Sequence, residues 1–320
     1  MNGRGRALLR ALGWAGVAGL GVAALVRLVG WTGVLLSVQL QAVAGPLLLA
    51  APLLVLLALA ARSRAVVVSS LLLCLAAGAW LVSVLPSGAP VADGCDLRVT
   101  TANLKLDNER VDAAAAALVG QDADVVVLHE VTPGLWSQLD GGPLTDTYPY
   151  RVLDVKDGFH GSAVLSRLPT RGGLRNIGSW DVLETRVELP DGRGLTMVAV
   201  HGPAPVPENG VTWWRRVLEE LAVAYGARSS TVLAGDFNAT PDHRPFRALV
   251  GAGLRESWDE AGEGLGGTFP AGTVVPPLLR LDHVLLSRGL GACTATTVDV
   301  PGSDHLGVTV DVATSGGRRG

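Results

Sequence analysis

The stretch Thr231–Asn238, TVLAGDFN, is an uncharged, strand-like run that turns at a glycine into an acid, an aromatic ring and a carboxamide. A short apolar run of this kind suits a buried strand. A strand that closes on Asp236 and Asn238 delivers two polar side chains to the end of a sheet, where function is commonly carried. The same arrangement recurs outward in both directions. Leu97–Ala102 (LRVTTA) leads into Asn103, Asp124–Leu128 (DVVVL) into His129 and Glu130, and Thr196–His201 (TMVAVH) closes on His201. Asp282 and His283 precede Val284–Ser287 (VLLS), and Asp304 and His305 precede Leu306–Val312. Ser162–Leu165 and Leu183–Leu189 are further strand candidates, while Asn108–Gly120, with its five consecutive alanines, reads as a helix. Val211–Tyr225 is amphipathic: Val211, Trp214, Leu218, Leu221, Val223 and Tyr225 share one side, Arg215, Arg216, Glu219 and Glu220 the other, and Gly226 is a helix stop. Strands outnumber helices and alternate with them, which predicts an α+β or layered α/β sandwich.

Six strand ends that each carry a carboxylate, carboxamide or imidazole predict one shared site at a sheet edge. Singly, each residue has an ordinary structural reading. Asn103 suits a turn, Glu130 a cap for a helix near Pro133, Asp236 an Asx-turn, and His201 an exposed position beside Gly202-Pro203. The argument rests on their recurrence.

These pieces resemble the endonuclease/exonuclease/phosphatase superfamily of metal-dependent phosphoesterases, DNase I-like nucleases and inositol-phosphate phosphatases among them. The resemblance runs from about Leu97 to Val312. It is carried by Thr101-Ala-Asn-Leu104, His129-Glu-Val131, Gly161-Ser-Ala-Val-Leu-Ser-Arg167, Ala199-Val-His201, Gly235-Asp-Phe-Asn238, Leu281-Asp-His-Val284 and Ser303-Asp-His305. It implies a four-layered α/β/β/α sandwich with the site at one edge. It implies that Glu130 binds the metal, with Asn103 and Asp304 contributing directly or through water. It further implies that His305, oriented by Asp282, activates water or stabilises developing charge, that Asp236 aligns the nucleophile, and that Asn238 and His201 hold phosphoryl oxygens. An all-oxygen site that keeps several waters suits Mg²⁺, with Mn²⁺ as a substitute, and phosphoryl transfer needs charge neutralisation and in-line positioning more than a protein nucleophile. Two positions depart from the family pattern: His129 stands where Gln is more usual, and His283 where an aromatic is common. They leave open whether an extra imidazole shifts the metal preference toward Mn²⁺ or Zn²⁺, although no His/Cys spacing typical of zinc is present.

Composition divides the chain. Residues 1–90 contain no acid and six arginines (Arg4, Arg6, Arg10, Arg27, Arg62, Arg64), leaving 20 basic and 29 acidic side chains in residues 91–320, a formal charge of −9. A hydrocarbon core of roughly 30 Å takes about 20 helical residues. The apolar runs predict spans at about 11–29, 42–61 and 65–85, with residues 31–41 interfacial or looped. A secretory signal peptide over residues 1–26 is the alternative, disfavoured by the further apolar runs that follow. Three spans put five of the six arginines on one face, so the positive-inside rule predicts a cytoplasmic N-terminus and everything after Leu85 outside, a multi-pass cell-membrane protein. Two spans would return the second part to the cytoplasm. Residues 86–94 read as a linker, 95–313 as the catalytic domain and 314–320 as a disordered tail. Cys74 lies within a span. Cys95 and Cys293 would be a disulfide in an oxidising compartment, or two unrelated thiols.

A nuclease needs a cationic groove, but this acidic part has only Lys105 and Lys156 as lysines and no basic cluster. Trp213-Trp214 suggests base stacking less than anchoring of a helix. The layout also resembles a membrane-bound bacterial branch of the superfamily that includes VanJ-type proteins, which implies a lipid-linked pyrophosphate such as an undecaprenyl carrier as substrate. The expected partners are thus a phosphorylated small molecule or lipid-linked substrate and the bilayer itself. The alternatives are an extracytoplasmic endo- or exonuclease, and a catalytically silent binding module, which would be expected to have lost motif residues. A channel is poorly supported, since the apolar runs hold only Gln39 and Gln41 as strongly polar residues.

Overall fold

The computed structural model of the chain describes residues 3–86, 94–207 and 210–315. The chain divides into two units, one of residues up to Leu85 together with Pro241–Arg244, the other holding the rest.

The first unit contains helices α1 (Gly3–Val29), α2 (Leu35–Leu48), α3 (Ala51–Ala60) and α4 (Arg64–Val84). Helices α1 and α4 are long and apolar enough to cross a membrane; α2 and α3 form a third such segment only as a pair, bent by 60° at their break. Residues 35–41, read as interfacial or looped, are helical, and the expected 42–61 segment falls on α2 and α3, which break at Leu49–Ala50 and could together make one bent span. Helix α1 also starts at Gly3, well before residue 11. Close packing inside the unit relies on missing side chains: a Cβ at Gly45 would stand 2.1 Å from the Trp80 indole. The outward faces carry Leu12, Leu25, Leu56, Leu75 and Val82, all exposed. Such a surface is stable only against an apolar medium or a partner. Arg27 is ion-paired with Asp242 at 2.6 Å, and Trp80 Nε1 donates to the same carboxylate at 3.0 Å, so this unit does contain a buried acid.

The second unit is built on twelve strands: β1 (Leu97–Asn103), β2 (Val125–His129), β3 (Tyr150–Asp154), β4 (Ser162–Ser166), β5 (Thr170–Asn176), β6 (Asp181–Glu188), β7 (Gly194–His201), β8 (Thr231–Asp236), β9 (Arg255–Glu256), β10 (Asp282–Leu286), β11 (Gly291–Val298) and β12 (Gly307–Ala313). They form two mixed six-stranded sheets, ordered β11-β12-β1-β2-β4-β3 and β5-β6-β7-β8-β10-β9. The inner faces meet in one core that includes Val99, Val125, Val127, Met197, Ala234, Val284 and Val310. The outer face of the first sheet, with Val126, Leu128, Ala163 and Leu165, is covered by α5 (Val111–Val119), α6 (Pro133–Leu139) and α7 (Pro143–Thr147). Both faces of β2 are therefore covered, which is why VVVLH is apolar throughout instead of alternating.

On the second sheet lie α8 (Val211–Tyr225) and α9 (Arg244–Gly251), followed by the short α10 (Ser257–Ala261). The sequence-predicted α8 is correct in extent, but Val223 is 88% exposed and Val217 takes its place among the buried residues. The helix expected from Asn108 starts at Val111, because the Asn108 side chain binds the Leu104 and Pro301 carbonyls and accepts from Arg110 N. The architecture is the four-layered α/β/β/α sandwich expected from the sequence.

Of the expected linker, residues 87–93 lie outside the described residues, as do 316–320 of the expected tail. Thr314, assigned to that tail, is buried and binds both Asp96 and Arg193. Cys95 and Cys293 form a disulfide across 198 residues of chain. Closing a long loop in the unfolded state raises its free energy. Replacing both cysteines by serine is expected to destabilise this unit by about 2–4 kcal/mol, read as a shift in the denaturant midpoint of the oxidised protein; an unchanged midpoint would mean the bond contributes nothing.

Glu184 on β6 accepts from Arg175 Nη1 at 2.6 Å, Tyr225 Oη at 2.8 Å and Arg228 Nη1 at 3.2 Å. Burial opposes ionisation, but the bonds from Arg175 and Tyr225 outweigh it and hold the carboxyl below its ordinary value of 4.5. A depressed acid contributes stability above its unfolded value, and that contribution disappears as pH falls through the folded value. Glu184→Gln is expected to lower the thermal midpoint at pH 7, with the deficit shrinking below about pH 4; a pH-independent deficit would contradict the ionic origin.

Candidate active site

Sheet register assembles the site. Strands β1 and β2 are parallel with Asn103 beside His129, so Glu130 follows next to Asn103. Strands β7 and β8 are parallel with His201 beside Asp236. Strand β10 runs antiparallel to β8, so its first residue, Asp282, meets the last residue of β8, Asp236. Strand β12 is antiparallel to β1, which returns the chain before it, with Asp304 and His305, toward the end of β1. Parallel pairs thus bring two strand ends together, and antiparallel pairs add two strand starts.

Asn103 Nδ2 donates to Glu130 Oε1 at 2.9 Å and to Asp236 Oδ2 at 3.3 Å. The Asn103 Oδ1 accepts from Lys105 N, and Glu130 Oε2 from Leu106 N at 2.8 Å. His201 Nε2 stands 3.8 Å from Asp236 Oδ2 and 3.9 Å from Glu130 Oε1. On the other side, His305 Nδ1 donates to Asp282 Oδ2 at 2.8 Å, leaving Nε2 3.8 Å from Asp236 Oδ2. Asp236 is therefore the hub on which Asn103, His201 and His305 converge. Its Oδ1 accepts from Asn238 N at 2.8 Å, the Asx-turn expected of that motif. Asn238 Nδ2 donates to Gly202 O, and Trp214 Nε1 donates to Asn238 O at 3.0 Å. The tryptophan pair thus splits its work: Trp214 is wholly buried and fixes the Asn238 backbone, while Trp213 meets Trp180 edge-on at 5.1 Å.

Glu130 and Asn238 both hold left-handed backbone, φ 60° and 48°. Such conformations cost of order 1 kcal/mol or more in non-glycine residues and concentrate at functional sites. Gly235 has φ 149°, and a Cβ there would lie 1.9 Å from Val200 O and 2.5 Å from His129 Nε2, so only glycine lets β8 pass.

Electrostatics follow from burial. Burial pushes Asp236 above the usual carboxylate range, with Asp282 adding to it and His305 and His201 opposing. Burial works against a charged His305 ring, but Asp282, Asp236 and the Asp282 hydrogen bond overcome it and raise His305 to about 10. At neutral pH this ring is an imidazolium. His129 is driven the other way, well below 6.5, by burial and by His201 and His305.

The two histidines that depart from the family pattern do not enlarge the donor set. His129 is buried between Thr101 Oγ1 at 3.4 Å and Ser162 Oγ at 3.3 Å. His283 bonds Glu256 through Nδ1 at 2.6 Å and Ala239 O through Nε2 at 2.8 Å. Among the described residues the Asp304 carboxylate has no hydrogen bond, and its charge acts on Lys105 and His305. The ligand atoms of Asp236, Asp282 and His305 lie within 4.8 Å of one another, a spacing that a metal ion could bridge. The Glu130 side fits a hard divalent cation better. Glu130 and Asp236 converge there on one Asn103 amide, with His201 Nε2 3.8–3.9 Å from both, and on the His305 side Asp282 Oδ1 is buried without a partner among the described residues. Buried charge of one sign calls for a cation.

The sequence did not single out Trp214 as a prop for Asn238, nor Ser303, whose Oγ donates to Asn103 O and accepts from His305 N. It also missed the Glu256–His283 pair, since Glu256 lies in an unremarkable REsW-type stretch (Arg255-Glu-Ser-Trp258) far from any motif.

The sandwich with its acid, carboxamide and imidazole edge defines a phosphoesterase-type α/β fold. The model of the endonuclease/exonuclease/phosphatase family matches residues 100–305, and the chain belongs to that family, whose members are hydrolases acting on phosphoester bonds. No sequence among the curated proteins matches it. Among solved structures it is similar to an endonuclease/exonuclease/phosphatase from Beutenbergia cavernae (22% identity, TM-score 0.57, covering 71% of this chain and 74% of that one). It is similar also to a mannosyl-6-phosphatase from Bacteroides thetaiotaomicron (18%, TM-score 0.53, 68% and 100%). A third is a 3′ phosphatase from Neisseria bound to a product DNA hairpin (18%, TM-score 0.51, 68% and 100%).

His283→Phe leaves the buried Glu256 without the imidazole that bonds it at 2.6 Å, and is expected to cost about 3 kcal/mol, measured by denaturant unfolding. Adding Glu256→Met is expected to recover more than half of that loss; no recovery would show that the pair matters through packing alone.

Proposed function

We propose that the chain is a membrane-anchored, divalent-metal-dependent phosphoesterase that hydrolyses phosphate ester or pyrophosphate bonds, with a lipid-linked substrate outside the cytoplasmic membrane. The observation that carries the hydrolase reading is the convergence of Asn103, His201 and His305 on Asp236, with Glu130 bonded to the same amide. Glu130 and Asn103, with Asp304, would hold Mg²⁺ or Mn²⁺. The bound cation neutralises phosphoryl charge and lowers the pKa of water.

The chain's own groups do the positioning. Asp236 aligns the attacking water, and His305, fixed by Asp282, points its Nε2 at the same place. That nitrogen faces the reacting phosphoryl group, to move a proton or answer developing charge. His201 and Asn238 hold phosphoryl oxygens from the β7 and β8 ends. Domain limits follow the sequence reading, with the catalytic part beginning at Cys95. The five-to-one arginine distribution supports a cytoplasmic N-terminus and an external site, and the Cys95–Cys293 bond agrees with an oxidising side. Tethering raises the effective concentration of lipid-borne phosphate, which supports the lipid-linked choice. The formal charge of −9 opposes an extended nucleic-acid groove.

The test is hydrolysis by detergent-solubilised protein of a panel: phosphomonoesters, phosphodiesters, undecaprenyl pyrophosphate and plasmid DNA, with Mg²⁺ or with EDTA. Glu130→Gln and His305→Ala are each expected to reduce kcat/KM by about 10³-fold, and EDTA to abolish turnover. Equal rates for wild type and variants on every substrate would overturn the enzyme reading. Brisk cleavage of DNA with none of the lipid pyrophosphate would replace the lipid-linked substrate by the nuclease alternative.

A further inference from the structure

The segment that follows Gly235-Asp-Phe-Asn238 does not stay with the sheets. Residues Pro241–Arg244 belong to the helical unit, although Thr240 before them and Pro245 after them belong to the second. Asp242 and His243 are both buried. Arg27 Nε, near the end of α1, donates to Asp242 Oδ1 at 2.6 Å, and Trp80 Nε1, near the end of α4, donates to Asp242 Oδ2 at 3.0 Å. Arg27 also reaches Ser83 Oγ on α4 at 3.2 Å. His243 donates through Nε2 to Val38 O on α2 at 2.9 Å. Three helices thus hold two consecutive residues that lie at least 162 positions further along the chain.

The energetics of this contact point to its use. A buried ion pair loses hydration on both sides and is often no more stabilising than apolar packing; its best-attested role is to fix one register. What is fixed here is a turn that begins at the end of β8. Between Asp236, the last residue of β8, and Arg244, the first of α9, the chain has no strand or helix of its own. Asn238 lies in that stretch with φ 48°, a conformation that persists only where its surroundings over-determine it. On the sheet side, Trp214 and His283 hold the carbonyls of Asn238 and Ala239. Past the loop, the Phe246 ring packs on those of His283 at 4.2 Å and Phe237 at 5.8 Å. Only Ala239, Thr240 and Pro241 separate Asn238 from Asp242, and Pro241 has its φ fixed by the ring. So short a connection cannot absorb a displacement of Asp242 without turning the backbone near Asn238.

We propose that Asp242 is a positioning residue of the active site: gripped by Arg27 and Trp80, it fixes the turn in which Asn238 supports Asp236 and faces the phosphoryl group. The helices are then part of the catalytic framework as well as an anchor. The proposal rests on the phosphoesterase reading and adds to it a residue outside the motif pieces. It also gives a task to Arg27, the one arginine that the span reading sets apart from the other five.

The experiment measures kcat and KM of the full chain in detergent with Mg²⁺. The substrates are p-nitrophenyl phosphate and bis(p-nitrophenyl) phosphate, which have no lipid part, and undecaprenyl pyrophosphate. Arg27→Met and Asp242→Asn are each expected to lower kcat by about 10- to 100-fold on every substrate that the wild type turns over, with KM nearly unchanged, since misplacement from far off the chemistry costs up to that factor. Arg27→Lys keeps the charge and is expected to recover most of the loss, because the bond to Asp242 is single and not a fork. Arg10→Met, on the same helix, is expected to match the wild type. The deciding readout is the combination with Asn238→Ala. If Asp242 acts through Asn238, adding Arg27→Met or Asp242→Asn to Asn238→Ala lowers kcat by no more than about twofold further, whereas independent sites multiply their losses. Asp242→Asn keeps the test intact should Arg27→Met fail to fold. Multiplied losses, a wild-type kcat in Asp242→Asn, or a loss confined to KM for the lipid substrate would each overturn the proposal and leave the phosphoesterase reading intact. No turnover of any substrate by the wild type would instead bring down that reading, and this proposal with it.

Discussion

The constraint on which the rest depends is the burial of Asp236 with Asp282 paired directly across from it in the β8–β10 register. Two carboxylates taken out of water repel each other and lose hydration, a cost of several kcal/mol per ion unless it is answered. The fold answers it on three sides. His305 is drawn up to a pKa of about 10 and sits between the two acids. The Asn103 amide bridges Asp236 to Glu130. The Asn238 backbone N–H closes on Asp236 Oδ1. The Glu130 side remains short of positive charge, and that shortage is what a divalent cation would fill.

Holding this cluster requires supports that have no chemistry of their own. Gly235 lets β8 pass beside His129 and Val200 without a side chain. His129, kept neutral by burial, fills the space behind the hub. Trp214 reaches from α8 to the Asn238 carbonyl, and His283 with Glu256 fixes the Ala239 carbonyl one residue on. The left-handed backbone at Asn238 is thus pinned from two directions. The same end of β7 that gives His201 to the hub also opens onto a polar cavity.

The interior strands were legible because both of their faces are covered: runs such as VVVLH and TVLAGD have few alternatives to a buried strand. The four strands that went unread, β3, β5, β9 and β11, are the four edges of the two sheets. Edge strands bury one side at most and carry charge and glycine to avoid further pairing, as TRGGLRN on β5 shows. Val223 was misplaced for a related reason. Near a helix end a single residue at the margin of the apolar stripe is decided by what stops covering it, not by periodicity. The break between α2 and α3 was likewise invisible, because an uninterrupted apolar run carries no mark of where it bends.

By itself the sequence determined which residues could meet. Apolar strand cores, the polar residues at their ends, and the Gly-Asp-Phe-Asn and Ser-Asp-His pieces are local patterns, and local patterns are written in neighbouring residues. It also determined that one third of the chain is acid-free and apolar. Only the tertiary structure decided how the candidates divide. It made Asp236 the hub on which Asn103, His201 and His305 converge. It withdrew His129 and His283 from ligation, and it brought Trp180, Asp181 and His160 from two separate turns to the wall of one cavity. Those outcomes depend on strand order and register, which set distances between residues far apart in the chain, and no local pattern carries that information.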